Sequence, residues 1–389
     1  MSSSRSDAGI SFRPTEEQRA LQRVAHEFAA QELRPLAREW DEREDFPPDL
    51  LEKAARVGLT SYAVPSRYGG GGADSVTSAL IAEELSWGCA GLAATIQATM
   101  FPVAPLVRFG TDGQRDRYLP MLAHEEGALA AIAFTEAHAG TDLASIRATA
   151  RRDGDGYVLD GEKVYVTNGG IADVTIVFAK LEGAMTAFVV ERSDAGVSAG
   201  RKERKLGLRA SYTGSLVLDG ARVSADRLLG EEGGGLAVAL DFFERSRPQV
   251  AAAAVGLARA AFEHATAYAR ERRAFGRPIL DRQGVGFKLA DMAMEIEAAR
   301  LLVWRACAAL DSGDDAVLLG SYAKAFAADT AMRVTTDAVQ VLGGAGVMRD
   351  EPVEKWLRDA KVFQIVEGTS EIQRHVVVSY LKRGGQTPG

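Results

Sequence analysis

The hydrophobic period of this chain changes twice along its length, and that constrains the fold more than any single residue. From Thr15 to about Leu129, apolar residues recur at the 3.6-residue spacing of an amphipathic helix, as at Leu21, Val24, Ala25 and Phe28. Thr15 and Gln18 stand three apart, as a capping box requires. Near Ala130 the period falls to two. Tyr157 and Leu159, then Val164 and Val166, alternate in the strand sense, short apolar runs cover residues 174–179, 187–191 and 215–218, and turn sequences such as Asp160-Gly161 and Asp219-Gly220 separate the strands. After Gly233-Gly234-Gly235 the helical period returns, with Leu289, Met292, Ala293, Ile296, Ala299 and Val303 on one face. Breaks near Arg277-Pro278, residues 311–314 and Gly343-Gly344 divide this last part into four or five helices, the number a bundle needs. The chain is predicted to be mainly α with a mostly antiparallel β domain in the middle. The divisions are a helical domain over residues 1–129, a β domain over 130–233 and a helical domain over 234–389.

Composition narrows the function. The formal net charge of −7, from 46 basic and 53 acidic side chains, offers no general attraction to nucleic acid or anionic lipid. An anionic ligand must then be held by particular arginines, helix N-termini or glycine-rich backbone. Two cysteines, Cys89 and Cys307, are too few for a disulfide framework and read as small buried hydrophobes. The five histidines have no metal-ligand spacing, and no metal is expected. Residues 1–8 are polar, with no apolar run behind them, and no run of eighteen uncharged apolar residues occurs, so the expected location is the cytoplasm, off the membrane.

Four segments combine residue types that chemistry uses. In Phe134-Thr135-Glu136-Ala137-His138-Ala139-Gly140-Thr141-Asp142, hydroxyls and a glycine could meet the polar edge of a heterocycle, or simply form a polar linker. In Val164-Tyr165-Val166-Thr167, an aromatic and a hydroxyl two apart share one face of a strand, so one can stack while the other donates; an aromatic on a strand is also ordinary core. Gln340-Val341-Leu342-Gly343-Gly344 ends a helix, and its glycines could equally expose amides to a pyrophosphate. In Val366-Glu367-Gly368-Thr369-Ser370-Glu371, Thr369 or Ser370 can cap a helix, while Glu367 beside Ile365 and Val366 could be desolvated and act as a base.

Together, in this order, these segments resemble the acyl-CoA dehydrogenase family, and the likeness runs from about Phe12 to Arg383. Further matches are Phe243-Glu244-Arg245-Ser246-Arg247-Pro248, Arg272-Arg273-Ala274-Phe275-Gly276 with Gln283, and Pro352-Val353-Glu354-Lys355. The resemblance implies a helical domain, a middle β-barrel and a C-terminal four-helix bundle, assembled as a homotetramer, or a smaller dimer, that binds FAD at subunit interfaces. It marks Glu367 as the base that removes the α proton of an acyl thioester, with the β hydrogen leaving as hydride to the flavin. It implies flavin contacts from Phe134, Thr135, Gly140, Thr141, Tyr165 and Thr167, with Thr369 and Glu371 completing the pocket. Arg272, Phe275 and Gln283, with Gln340, Gly343 and Gly344 of a neighbouring subunit, look like the adenine and pyrophosphate sites. Thr141, Glu244 and Arg247 resemble the residues that meet the substrate, and an electron-transfer flavoprotein is the implied acceptor.

The match departs from the family in four places. Ala137 replaces a common proline, which predicts a looser flavin loop. Tyr165 stands for the more familiar tryptophan, Glu371 for a frequent glutamine, and the turn over residues 180–185 is short. That short turn leaves open a carrier-protein handle in place of CoA, and hence a dehydrogenase or oxidase of carrier-bound acyl groups. A flavin-poor assembly partner without catalysis is the remote third reading.

Overall fold

A computed structural model describes residues 12–384, so the reading of residues 1–8 lies outside the described part. Six helices come first: α1 (Glu16–Phe28), α2 (Ala37–Arg43), α3 (Leu50–Arg56), α4 (Ser75–Met100), α5 (Val103–Phe109) and α6 (Asp112–Leu122). The capping box forms, because the Gln18 amide donates to Thr15 Oγ1 at 3.1 Å and the Thr15 amide donates to Gln18 Oε1 at 2.9 Å. The α4 segment, continued through Phe109, is apolar and long enough to cross a membrane, but 78% of its most apolar window is buried inside the fold. Its Asp74 cap and the buried Glu83 and Glu84, paired with Arg259 and Arg300, fit a core helix.

The middle domain holds β1 (Ala130–Ala133), β2 (Thr149–Asp153), β3 (Gly156–Thr167), β4 (Val174–Leu181), β5 (Ala184–Glu191), β6 (Val197–Lys202), β7 (Thr213–Ser224) and β8 (Leu228–Leu229). They form one sheet in the order β6-β7-β3-β2-β4-β5-β8, with β1 parallel to the first half of β4. The expected closed barrel is not formed. The path ends at β6 on one side and at β8 on the other, and β8, two residues long, pairs only with β5. Closure would require the edge strands to pair in a fixed stagger, and a two-residue strand has too few backbone groups for that. The sheet curls instead. Along β4, Val174, Ile176 and Phe178 face the core shared with the helices, while Val177, Ala179 and Leu181 face a second core enclosed by the other strands.

The C-terminal part has five α-helices: α7 (Gly235–Glu271), α8 (Gln283–Ser312), α9 (Val317–Leu342), α10 (Val353–Phe363) and α11 (Ser370–Lys382). A small hairpin, β9 (Arg273–Ala274) and β10 (Arg277–Pro278), joins α7 to α8. The long α7 packs on α4, α8 and α9, and its alanines 251–254 are buried, as close helix packing demands. Cys89 and Cys307 are both buried, the former at a break in α4 where φ is −161°.

Candidate active site

The turn between α10 and α11 carries Glu367 in the left-handed region (φ 52°), followed by Gly368 at φ 89°. A side chain larger than hydrogen at Gly368 would put its Cβ 2.8 Å from Gln373 Nε2 and 3.0 Å from Ile372 Cγ2. Two donors hold this turn: Lys324 Nζ reaches the Gly368 carbonyl at 2.5 Å, and Gln373 Nε2 reaches the same carbonyl at 3.1 Å and that of Glu367 at 3.3 Å. The Thr369 hydroxyl accepts from the Ile372 amide at 3.2 Å and caps α11, which starts the next helix immediately after the turn. Among the described residues, the Glu367 amide donates to no backbone acceptor.

The Glu367 carboxylate retains some surface, yet most of its surroundings are protein. Burial pushes its carboxyl above the usual glutamate range, and the Ser246 hydroxyl, Arg247 and Lys324 only partly oppose this. Ser246 Oγ donates to Glu367 Oε2 at 2.8 Å from α7. Arg247 is itself lowered by burial, with Glu367 and Glu244 pulling the other way, and its buried Nε lacks a partner in the chain. Glu244 is differently committed, since one of its oxygens accepts from the Ala316 amide at 2.9 Å where α9 begins.

Ser246 also lines a cavity of about 310 Å³ beside Tyr62, Gln97, Met100, Phe101 and Phe242. That volume lies at the low end for small-molecule sites. A larger cavity of about 770 Å³ is walled by Arg34, Asp41, His264, Lys355 and Arg358 and includes none of the groups around Glu367.

The remaining expected residues fall into two groups. Phe134 buries its ring between sheet and α7, 4.2 Å from Phe178 and 5.0 Å from Phe243 between centroids. Next to it, Glu136 accepts from the Arg147 and Ala148 amides at 2.6 and 2.9 Å and from Lys163 Nζ at 2.7 Å. Burial alone would raise the Glu136 carboxyl; Lys163 and the two amides outweigh it and hold it below the usual range. The loop that lacks a proline at Ala137 is thus anchored from inside by Glu136. Beyond it, Gly140 and Thr141 are exposed, with open space where a Gly140 Cβ would lie. On β3, Tyr165 (φ 59°) is 64% exposed beside a register shift in the β3–β7 pairing, while Val166 is buried and Thr167 half-buried.

Arg272, Phe275 and Gln283 stand on or beside the exposed β9–β10 hairpin, where Phe275 is 96% exposed at φ 51°. Gln340, Gly343 and Gly344 are exposed at the end of α9, and space is open at both glycines. Among the described residues no hydrogen bond or ion pair joins these two groups. Three of the seven non-glycine residues with positive φ in the described chain are expected site residues: Tyr165, Phe275 and Glu367. Backbone strain of this kind persists where surroundings enforce it, commonly at ligand sites. Exposed aromatics, open glycines and uncommitted hydroxyls fit a flat aromatic cofactor with a pyrophosphate.

The comparisons agree with this architecture. The N-terminal, middle and C-terminal domains of acyl-CoA dehydrogenase match residues 15–126, 131–221 and 233–381. The chain belongs to the acyl-CoA dehydrogenase family. It is therefore an FAD-dependent oxidoreductase. It is 43% identical over 376 residues to an acyl-CoA dehydrogenase of Bacillus subtilis, covering 95% of this chain and 99% of the relative. Among solved structures it resembles butyryl-CoA dehydrogenase from Megasphaera elsdenii (TM-score 0.93, 38% identity, 96% of this chain and 100% of that one). It also resembles the prolyl acyl carrier protein oxidase AnaB (TM-score 0.91, 33% identity, 95% and 100%).

Ser246 and Lys324 are the site residues with least signal in sequence. A serine inside a helix and a lysine in Ala323-Lys324-Ala325 both read as ordinary helix positions. The available clue was spacing: Lys324 shares the stripe of Ala327, Ala328 and Ala331, the small residues that α9 buries.

Proposed function

We propose that this acyl-CoA dehydrogenase-family enzyme oxidises an acyl thioester to its trans-2-enoyl product, with Glu367 as the base for the α proton. The observation that carries the reading is a carboxylate with a raised pKa, set in a strained turn and hydrogen-bonded by Ser246, which itself lines the cavity of about 310 Å³. A raised carboxyl is a stronger base once ionised, which the weak acidity of an α C–H requires. The unused amide of Glu367 can donate to the thioester carbonyl, stabilising the negative charge that grows there as the proton leaves. Bound FAD supplies the acceptor for the β hydrogen as hydride. Arg247 and Lys324 keep positive charge near the ionised carboxylate, and the apolar wall of Met100, Phe101 and Phe242 excludes water from the acyl group.

For the flavin we assign Phe134, Thr135, Gly140, Thr141, Tyr165, Thr167, Thr369 and Glu371. Arg272, Phe275 and Gln283 form one half of the adenine and pyrophosphate site, completed by Gln340, Gly343 and Gly344 of another copy. The absence of contact between these halves within the described chain supports a homo-oligomer, for which we propose a tetramer. An electron-transfer flavoprotein is the assigned acceptor and the cytoplasm the assigned compartment. A carrier-protein substrate is the second reading. It is favoured by the two-residue turn Glu182-Gly183 between β4 and β5, and by the likeness to AnaB.

Anaerobic flavin bleaching with a panel of CoA and carrier-bound thioesters tests both readings. CoA esters are expected to bleach the wild type, and Glu367→Gln to retain flavin yet lose bleaching by at least a hundredfold. Bleaching of that variant at the native rate sinks the assignment of the base; bleaching by carrier-bound esters alone selects the second reading.

A further inference from the structure

Three lysines are fully or nearly fully buried, and two sit on carboxylates: Lys163 on Glu136 at 2.7 Å and Lys355 on Asp359 at 2.5 Å. Lys324, with no exposed surface, has no carboxylate within ion-pair distance among the described residues; its ammonium donates to the Gly368 carbonyl. Burying a cation without such a partner is unfavourable for folding, so its presence is better explained by what it does to the neighbouring turn. We propose that Lys324 is the positioning residue for Glu367: one hydrogen bond to the Gly368 carbonyl fixes the left-handed turn that aims the carboxylate, and the ammonium charge keeps that carboxylate ionised. This rests on Glu367 being the base.

The charged and polar groups around Glu367 come from three helices besides its own turn. Ser246 and Arg247 of α7 and Lys324 of α9 act on Glu367 directly; behind them, Glu244 of α7 faces Arg247, Asp329 of α9 and Glu371 of α11 face Lys324, and Arg374 of α11 pairs with Asp329. Burial lowers the Lys324 ammonium to about 8, with Glu367 the largest opposing influence, so near neutrality it carries charge next to the base. Removing that charge leaves Arg247 as the remaining cation acting on Glu367 and makes the carboxyl harder to ionise. Gln373 holds the same Gly368 carbonyl, so the turn keeps one of its two clamps when Lys324 is replaced.

The test compares FAD-loaded wild type with Lys324→Met, Lys324→Gln, Gln373→Met and Glu367→Gln. Flavin reduction by a thioester is followed anaerobically against pH, and the carboxyl stretch of Glu367 is titrated by infrared difference spectroscopy. Lys324→Gln can still donate to Gly368 but has no charge; Gln373→Met loses the other clamp and leaves the charge. Both lysine variants are expected to move the acid limb and the infrared titration to higher pH and to slow reduction near neutrality on the order of tenfold. Gln373→Met is expected to slow reduction without moving either titration. Lysine variants that keep the wild-type titration, while Glu367→Gln is inactive, overturn the role of Lys324. An active Glu367→Gln instead removes the base assignment beneath it. If Lys324→Met fails to fold, Lys324→Gln alone decides, because it retains the hydrogen bond.

Discussion

At Glu367 the conformation and the charge both work against stability. A non-glycine residue in the left-handed region costs roughly 1–2 kcal/mol, and burial disfavours the ionised carboxylate. Because the folded carboxyl lies above its ordinary 4.5, the folded protein binds more protons than the unfolded chain between those two values. Stability contributed by this group is complete below about pH 4.5 and is lost as pH rises through the folded value. Glutamine resembles the protonated acid in shape and charge. Glu367→Gln is therefore expected to melt above the wild type at pH 7, by about 1.4 kcal/mol for each tenfold change in the acid's ionisation constant, with the difference vanishing below pH 4.5. Calorimetric melting of the two proteins across this range measures it; a wild type that melts higher at pH 7 contradicts the raised carboxyl. In the sequence, an acid beside Ile365 and Val366 left a capped helix start and a desolvated base both open, and the resemblance to the family was what marked it as the base. Its support by Ser246 and Lys324 was hidden, because those groups approach from positions 121 and 43 residues away in the chain.

Among elements, the crossing of α4 and α7 carries the site, since α7 presents Ser246 and Arg247 while α4 supplies Gln97 and Met100 to the cavity wall. The helices meet with almost no space at Gly256, where a Cβ would lie 2.0 Å from the Glu83 carbonyl oxygen. That oxygen belongs to the helix backbone and cannot rotate away. Gly256→Ala is expected to destabilise by about 1–3 kcal/mol through overpacking, and a thermal melt reads it. An unchanged melting temperature would mean that the helices separate freely there. Alanine runs in α7 announced close packing in the sequence, but not the partner. The buried pairs of Arg259 and Arg300 with Glu83 and Glu84 select α4, and such pairs join residues far apart in the chain.

At the scale of the whole molecule, the three regions share one apolar core that runs from α1 and α4 through the inner face of β4 and β5 to α7–α10. Apart from Phe134, which packs within that core, the residues proposed to hold the cofactor lie on exposed or half-buried loops, strand and helix ends, so their order is expected to depend on the cofactor. Removing FAD should lower the melting temperature, and adding it back should raise stability by about 2.7 kcal/mol at a hundredfold excess over Kd. A melting temperature independent of FAD would detach these residues from flavin binding. The two changes of hydrophobic period and the helix caps at Thr15 and Thr369 were determined by sequence alone, because each is a local pattern of side chains against the backbone. Closure of the sheet, the anchoring of the proline-less loop by Glu136, and the meeting of Ser246, Lys324 and Glu367 were decided only in three dimensions. Strand edges and buried charges take their energies from partners that fold together from distant parts of the chain.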